Sequence, residues 1–248
     1  MSQSQLSVQL YTVREALARD LPGTLRRVAD LGYRNVELFG FVDLADQYSE
    51  LLPTVGLAAP SAHARLVGQD VAVTFEAAKK IGVTSVIDPA IDRALWTTKE
   101  DIARSAASLN EIAQIAADNG LTIGYHNHWW ETENRIGETT ALEVFADHLD
   151  AGIFLEIDTY WAEVGGASAA DLLRVLGERV QFIHVKDGPV TKDDQDQAAV
   201  GSGKIDVLGI LAASPQALRV VELDGCDGDV FDALADSFAY LTANGVSA

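Results

Sequence analysis

The sequence predicts an α/β protein, a single (β/α)8 TIM barrel spanning residues 1–248, and three observations carry that prediction. Short strand-like runs alternate with longer helical ones, which implies parallel pairing with helices as the crossovers. The 248 residues hold eight such units at about 31 residues each. Gly32, Gly56, Gly82, Gly120, Gly152 and Gly177 each close a helical run a few residues before a strand, the usual place for a helix-ending glycine. An open doubly wound sheet is the alternative. The first strand, however, leads through VQLYTVRE without the glycine-rich turn of a dinucleotide fold.

The first strand is read at residues 6–11, followed by Leu17, Leu21, Leu25 and Val28 at helical spacing. The second strand spans 35–39, the third 57–63 and the fourth 84–88. Ile102, Ala106, Leu109, Ile112 and Ala116 mark a long helix before the fifth strand, 121–128. The sixth, seventh and eighth strands are read at 153–158, 181–186 and 219–223, and Val230, Leu234, Phe238 and Leu241 mark the closing helix.

Charge and composition narrow the function. Acidic residues outnumber basic ones by 37 to 18, for a net charge of −19. Such a chain repels phosphate backbones, so no nucleic-acid partner is expected. Cys226 is the only cysteine, which rules out an intrachain disulfide and a thiolate zinc cluster. MSQSQLSVQL lacks the basic and apolar segments of a secretory signal, and no apolar run approaches the ~18 residues of a membrane span. A cytoplasmic protein with no membrane partner is expected; a homo-oligomer stays open.

In a barrel strand, alternate residues face the helices and the interior. Val36, Leu38, Ile153, Leu155, Ile157, Ile183, Val185, Val221 and Leu223 form the apolar phase. The inward phase therefore carries Glu37, Glu156, Asp158, His184, Lys186, Glu222 and Asp224, with Gly124, His126 and His128 on the fifth strand. These polar residues gather at the C-terminal strand ends, where barrel enzymes build their sites. His63, at the end of the third strand, joins them, whereas His148 falls on a helix. A single strand carboxylate is readily a salt-bridge partner, and a single histidine a structural residue. Four neighbouring strands ending in His, Asp, His and Glu need a cation or complete pairing, and too few bases lie near them. The pattern favours one divalent metal ion. Carboxylate and imidazole donors without thiolate suit Mn, Co, Zn, Fe or Mg and do not choose among them.

At these residues the chain resembles the xylose isomerase-like barrel superfamily, the sugar phosphate isomerase/epimerase group that includes inosose dehydratases, ketose 3-epimerases and endonuclease IV. The resemblance rests on Tyr125-His126-Asn127-His128, Glu156-Ile157-Asp158-Thr159-Tyr160-Trp161 and Phe182-Ile183-His184-Val185-Lys186-Asp187-Gly188. Gly201-Ser202-Gly203-Lys204-Ile205-Asp206 and Val221-Glu222-Leu223-Asp224 extend it. It implies a metal held by Asp158, His184 and Glu222. His126 stands where many relatives carry a glutamate ligand and base, so the fourth ligand is His126 or Glu131, just beyond the strand. The His-x-His form is closer to the inosose dehydratase-like branch.

The expected reaction is proton abstraction next to a carbonyl through a metal-stabilised enediolate, in a sugar isomerase or epimerase acting on a keto-sugar or cyclitol. A lyase or dehydratase of an inosose or 3-keto-glycoside, and a non-catalytic sugar-binding barrel, remain the alternatives. The net charge of −19 argues against a DNA repair phosphodiesterase. Glu222, His128 and Lys186 are the expected catalytic residues, with a rim hydrogen bond as the alternative for His128 and a salt bridge to Asp187 or Asp224 for Lys186. His63, Glu37, Trp161 and Glu131 are expected at the substrate. Trp129, Trp130 and Trp161 offer faces for sugar C–H surfaces or serve as packing. The loop Gly201–Lys204 is read as a turn rather than an anion site.

Overall fold

The computed structural model describes residues 5–248; residues 1–4 of the predicted domain lie outside the described residues. Eight parallel strands close into a barrel: β1 (Leu6–Gln9), β2 (Asn35–Phe39), β3 (Ala58–His63), β4 (Ser85–Asp88), β5 (Thr122–His126), β6 (Phe154–Asp158), β7 (Val180–Val185) and β8 (Leu218–Val221). Consecutive strands are neighbours, and β1 closes the ring by pairing Val8 with Val36 on β2 and with Val221 on β8. This is the predicted α/β barrel. Among the described residues, no helix is long and apolar enough to cross a membrane.

The strand phases sort the interior into two kinds of core. Val36, Leu38, Leu155, Ile157, Ile183 and Val185 join the large cluster that also includes helix residues. The opposite phase carries a separate small cluster, Ile87, Phe154, Phe182 and Val220. Gly124 makes room for it: a Cβ there would stand 2.3 Å from the Phe154 ring.

Several boundaries differ from the sequence reading for local reasons. β1 ends at Gln9 because residues 10–13 turn into a 3-10 helix, whose first turn is capped by the Gln9 side chain accepting from Tyr11 N. The helical run after it breaks at Asp20, whose carboxylate caps the helix Leu21–Asp30 by accepting from Gly23 N. β5 stops at His126 rather than reaching His128. There Asn127 turns its amide onto the Asp158 backbone, accepting from its N–H at 3.0 Å and donating to its carbonyl at 3.3 Å. Between β5 and β6 lies a short antiparallel hairpin, Arg135–Ile136 with Thr139–Thr140, which the sequence reading did not foresee. The helix Val71–Ile81 ends at Gly82 with φ +94°, the left-handed conformation expected of a helix-closing glycine.

Candidate metal centre and substrate cavity

The inward residues of β2, β3, β5, β6, β7 and β8 converge on one buried polar floor. Two residues beyond Phe154 stands Glu156, beyond Phe182 stands His184, and beyond Val220 stands Glu222. His184 lies at the centre with no exposure. Its Nδ1 is 2.7 Å from Glu222 Oε2, and its Nε2 is 2.8 Å from Glu37 Oε1 and 3.2 Å from Glu156 Oε2.

On the β6–β8 side, Asp158, His184 and Glu222 each present a donor atom, all within 4.8 Å of one another. Asp158 divides its oxygens between two tasks. Oδ1 caps the helix Thr159–Val164 by accepting from Trp161 N at 2.8 Å, while buried Oδ2 has no hydrogen-bond partner. Lys186 Nζ approaches Oδ2 to 3.0 Å as an ion pair without hydrogen-bond alignment. His126 Nε2 is 3.9 Å from the same oxygen. A buried, unfilled carboxylate oxygen facing imidazoles and a second carboxylate fits a divalent cation. His126, Asp158, His184 and Glu222 would hold it. The Lys186 ammonium lies 2.7 Å from both Glu222 and Asp224, so it is bound by three carboxylates.

On the β2–β3 side, Glu37 accepts from Gln9 Nε2 at 2.9 Å and Ser61 Oγ at 2.5 Å and meets His63 Nε2 at 3.1 Å. His63 Nε2 is also 2.6 Å from Glu156 Oε2, and His126 Nδ1 reaches that oxygen at 3.1 Å. Sequence reasoning set Glu156 on the inward face and read it, like Glu37, as a salt-bridge partner at the barrel mouth; its contacts here are the imidazoles of His63, His126 and His184.

Burial and neighbouring charges compete across the floor. Burial pushes the Glu37 and Glu222 carboxyls up, but the cationic partners outweigh it: His63 and His184 hold Glu37 below its ordinary range, and Lys186 and His184 hold Glu222 well below. Burial raises Asp158 despite Lys186. His126 is pushed well below the ordinary histidine range by burial and by His184 beside it. A neutral His126 ring keeps a lone pair for a metal. Lys186 is driven well above its usual value because Asp158, Asp224 and Glu222 overcome its burial.

Above the floor opens a cavity of about 470 Å³. His63, His126, His128, Trp161, Lys186 and Glu222 line it, opposite Tyr11, Phe39 and Phe41. Phe39 ends β2, and Tyr11 and Phe41 follow β1 and β2; the sequence reading gave this aromatic wall no role, because an apolar residue at a strand end reads as core. Glu37 lies fully buried beneath the wall. Glu131 is also fully buried, accepting from Tyr125 Oη at 2.7 Å and His128 N at 2.9 Å. His128 stacks on Trp130 at 4.2 Å, and its Nδ1 has no hydrogen-bond partner. Trp129 lies under Lys192 and Arg93, and Trp161 donates to Asp224 at 3.2 Å.

The loop after β7 is held by a carboxylate. Asp187 accepts from the amides of Gly188, Gly201, Gly203 and Ile205 at 2.8–3.1 Å, so the glycine-rich amides are occupied by Asp187. That loop carries Gln197, which donates to Asp224 Oδ2 at 2.9 Å and accepts from its backbone N at 2.8 Å.

The family model described as xylose isomerase-like TIM barrel matches residues 25–213. An inosose dehydratase of Clostridium botulinum (strain Alaska E43 / Type E3) is 27% identical over 99 residues, which are 40% of this chain and 33% of that relative. A crystal structure of a sugar phosphate isomerase/epimerase from Parabacteroides distasonis ATCC 8503 superposes with a TM-score of 0.85 at 22% identity, covering 100% of this chain and 97% of the other. The IolI protein, crystallised with a zinc atom, superposes with a TM-score of 0.72 at 19% identity, covering 97% of each chain.

Proposed function

Because the chain belongs to the xylose isomerase-like TIM barrel family, we propose that it is a divalent-metal-dependent sugar isomerase or epimerase acting on a keto-sugar or cyclitol in the cavity. The observation that carries this reading is the convergence of Asp158, His184 and Glu222 on the cavity floor, with one Asp158 oxygen left without a hydrogen bond. His126 completes the proposed ligand set. The bound ion would polarise a substrate carbonyl.

The remaining chemistry falls to the chain's own side chains. Lys186 lines the cavity with its proton-bearing Nζ and would balance charge developing on a substrate oxygen. Glu222 and His128 would move the proton on carbon. They sit at the ends of β8 and just past β5, with β6 and β7 between those strands, so they approach a ligand from different sides. Exchange at opposite faces of one carbon requires that separation. Trp161 and the wall of Tyr11, Phe39 and Phe41 would take the C–H face of the sugar and keep water out. His63 would contact substrate from the β3 end. Glu37 and Glu131, both buried, would act behind it, orienting His63 and His128. The proposed setting is the cytoplasm, with a small molecule as partner.

The similarity to an inosose dehydratase supports a second reading, in which the same proton abstraction is followed by expulsion of a β-oxygen. Both are tested by incubating the metal-loaded protein in deuterated water with ketoses, inososes and 3-keto-glycosides. Deuterium at the α-carbon without elimination is the expected result. Elimination products would install the dehydratase reading. Absence of exchange across the panel, with sugar bound, would make it a binding barrel.

A further inference from the structure

The floor has a second half that a single ion leaves unexplained. Three imidazole nitrogens crowd one oxygen, Glu156 Oε2: His63 Nε2 at 2.6 Å, His126 Nδ1 at 3.1 Å and His184 Nε2 at 3.2 Å. The first two are hydrogen bonds and fill the roughly two lone-pair sites of the oxygen, so the His184 nitrogen, bonded instead to Glu37, stands against Oε2 without a bond to it. The other oxygen of the same carboxylate, Oε1, is buried and has no hydrogen-bond partner. One donor atom each from His63, His126, Glu156 and His184 lies within 4.8 Å of the others. Zinc bonds of about 2.0–2.1 Å set tetrahedral donors about 3.4 Å apart, so small outward shifts of these side chains would seat an ion.

Charge points the same way. The floor gathers the carboxylates of Glu37, Glu156, Asp158, Glu222 and Asp224 around one ammonium, that of Lys186. With the three imidazoles neutral, the floor lacks four positive charges, which two divalent ions supply. Uncompensated buried carboxylates are costly.

We propose that the barrel holds a second divalent cation, of the zinc class, at His63, the Nδ1 of His126 and Glu156, so that the first ion keeps Asp158, Glu222 and one nitrogen of His184. The His184 Nδ1 faces the Asp158–Glu222 side and its Nε2 the Glu156 side. An imidazole-rich set selects zinc, copper, nickel or iron over magnesium and manganese. This second position goes beyond the single-ion reading above.

The test is zinc content per chain after saturation with zinc and removal of excess, in wild type, His63→Asn, Glu156→Gln and Asp158→Asn, with near-ultraviolet circular dichroism to verify folding. Two zinc ions in wild type are expected, falling to one in each variant. Glu156→Gln keeps the side-chain volume and serves if His63→Asn does not fold. One ion in wild type, kept in His63→Asn and lost in Asp158→Asn, would overturn the second position and leave the proposed function standing. One ion lost in His63→Asn but kept in Asp158→Asn would instead overturn the Asp158–His184–Glu222 assignment. No zinc in wild type would overturn both.

Discussion

Along β6, β7 and β8 the inward phase changes character within a single two-residue step. Phe154 gives way to Glu156, Phe182 to His184 and Val220 to Glu222, so an apolar layer and a charged layer lie one above the other in the same barrel. The lower layer holds the strands together by burial. The upper layer spends stability, because its carboxylates and imidazoles leave water for partners that satisfy them only in part. One backbone register thus serves both packing and chemistry, and the two layers should separate under mutation.

The largest separation is expected from Asp158→Asn. Asparagine retains the oxygen that caps the helix Thr159–Val164 but loses the charge facing His126 and His184. Metal content at this site should disappear and turnover fall by roughly a thousandfold or more. The urea midpoint should stay near that of the metal-free wild type. A coupled collapse of folding would show that the two layers are not independent.

Phe154→Ala attacks the lower layer. Its ring fills the space beside Gly124 and packs on Phe182 at 5.1 Å. Urea unfolding should report a loss of about 3–5 kcal/mol. The folded fraction should still take up metal, because the donors stand on the layer above.

The layered interior also explains what could be read from the sequence. A period of two along strands such as Phe182-Ile183-His184-Val185-Lys186 exposes both phases at once, so the barrel and the gathering of His126, Asp158, His184, Lys186 and Glu222 were legible. Contacts set by strands far apart in sequence were not. Nothing local to Glu37 says that it meets His184, 147 residues on, or that Gln9 and Ser61 fill its remaining valences. Loop residues were equally silent: Asp187 reads as a rim acid, yet it binds four amides of its own loop. Glu131 reads as a ligand reserve beyond β5, but Tyr125, from the helix-facing phase, draws it away from the floor.

A third change tests the rim above the charged layer. His128→Asn should leave metal content unchanged while slowing deuterium wash-in at the substrate α-carbon by about a hundredfold, the low end for loss of a general base. His128 lines the cavity, while its buried Nδ1 faces Glu131 Oε1 at 3.9 Å without a hydrogen bond. Wash-in at the wild-type rate would remove it from the mechanism and leave Glu222 as the base.

The smallest expected effect distinguishes protons from metal as the charge that stabilises the upper layer. In the metal-free protein, burial works against a charged His63, but Glu37 and Glu156 beside it prevail and push it up to about 10. A histidine raised from 6.5 contributes its full stability below pH 6.5 and loses it as pH climbs through about 10. Glu37, held down against burial by His63 and His184, behaves oppositely: its contribution is present above pH 4.5 and fades in acid. His126, held neutral by burial and by His184, costs stability below pH 6.5, where the unfolded chain would protonate it, so metal-free stability should peak near pH 6.5. The melting temperature in chelator should therefore fall as pH rises from 6.5 to 10. His63→Asn should flatten that slope. Metal reverses it, because ions displace protons from the imidazoles and bind more tightly as pH rises. The gap between metal-loaded and metal-free melting temperatures should widen steadily toward pH 9. A gap that stays constant with pH would mean that the ion does not compete for the floor's protons and binds elsewhere.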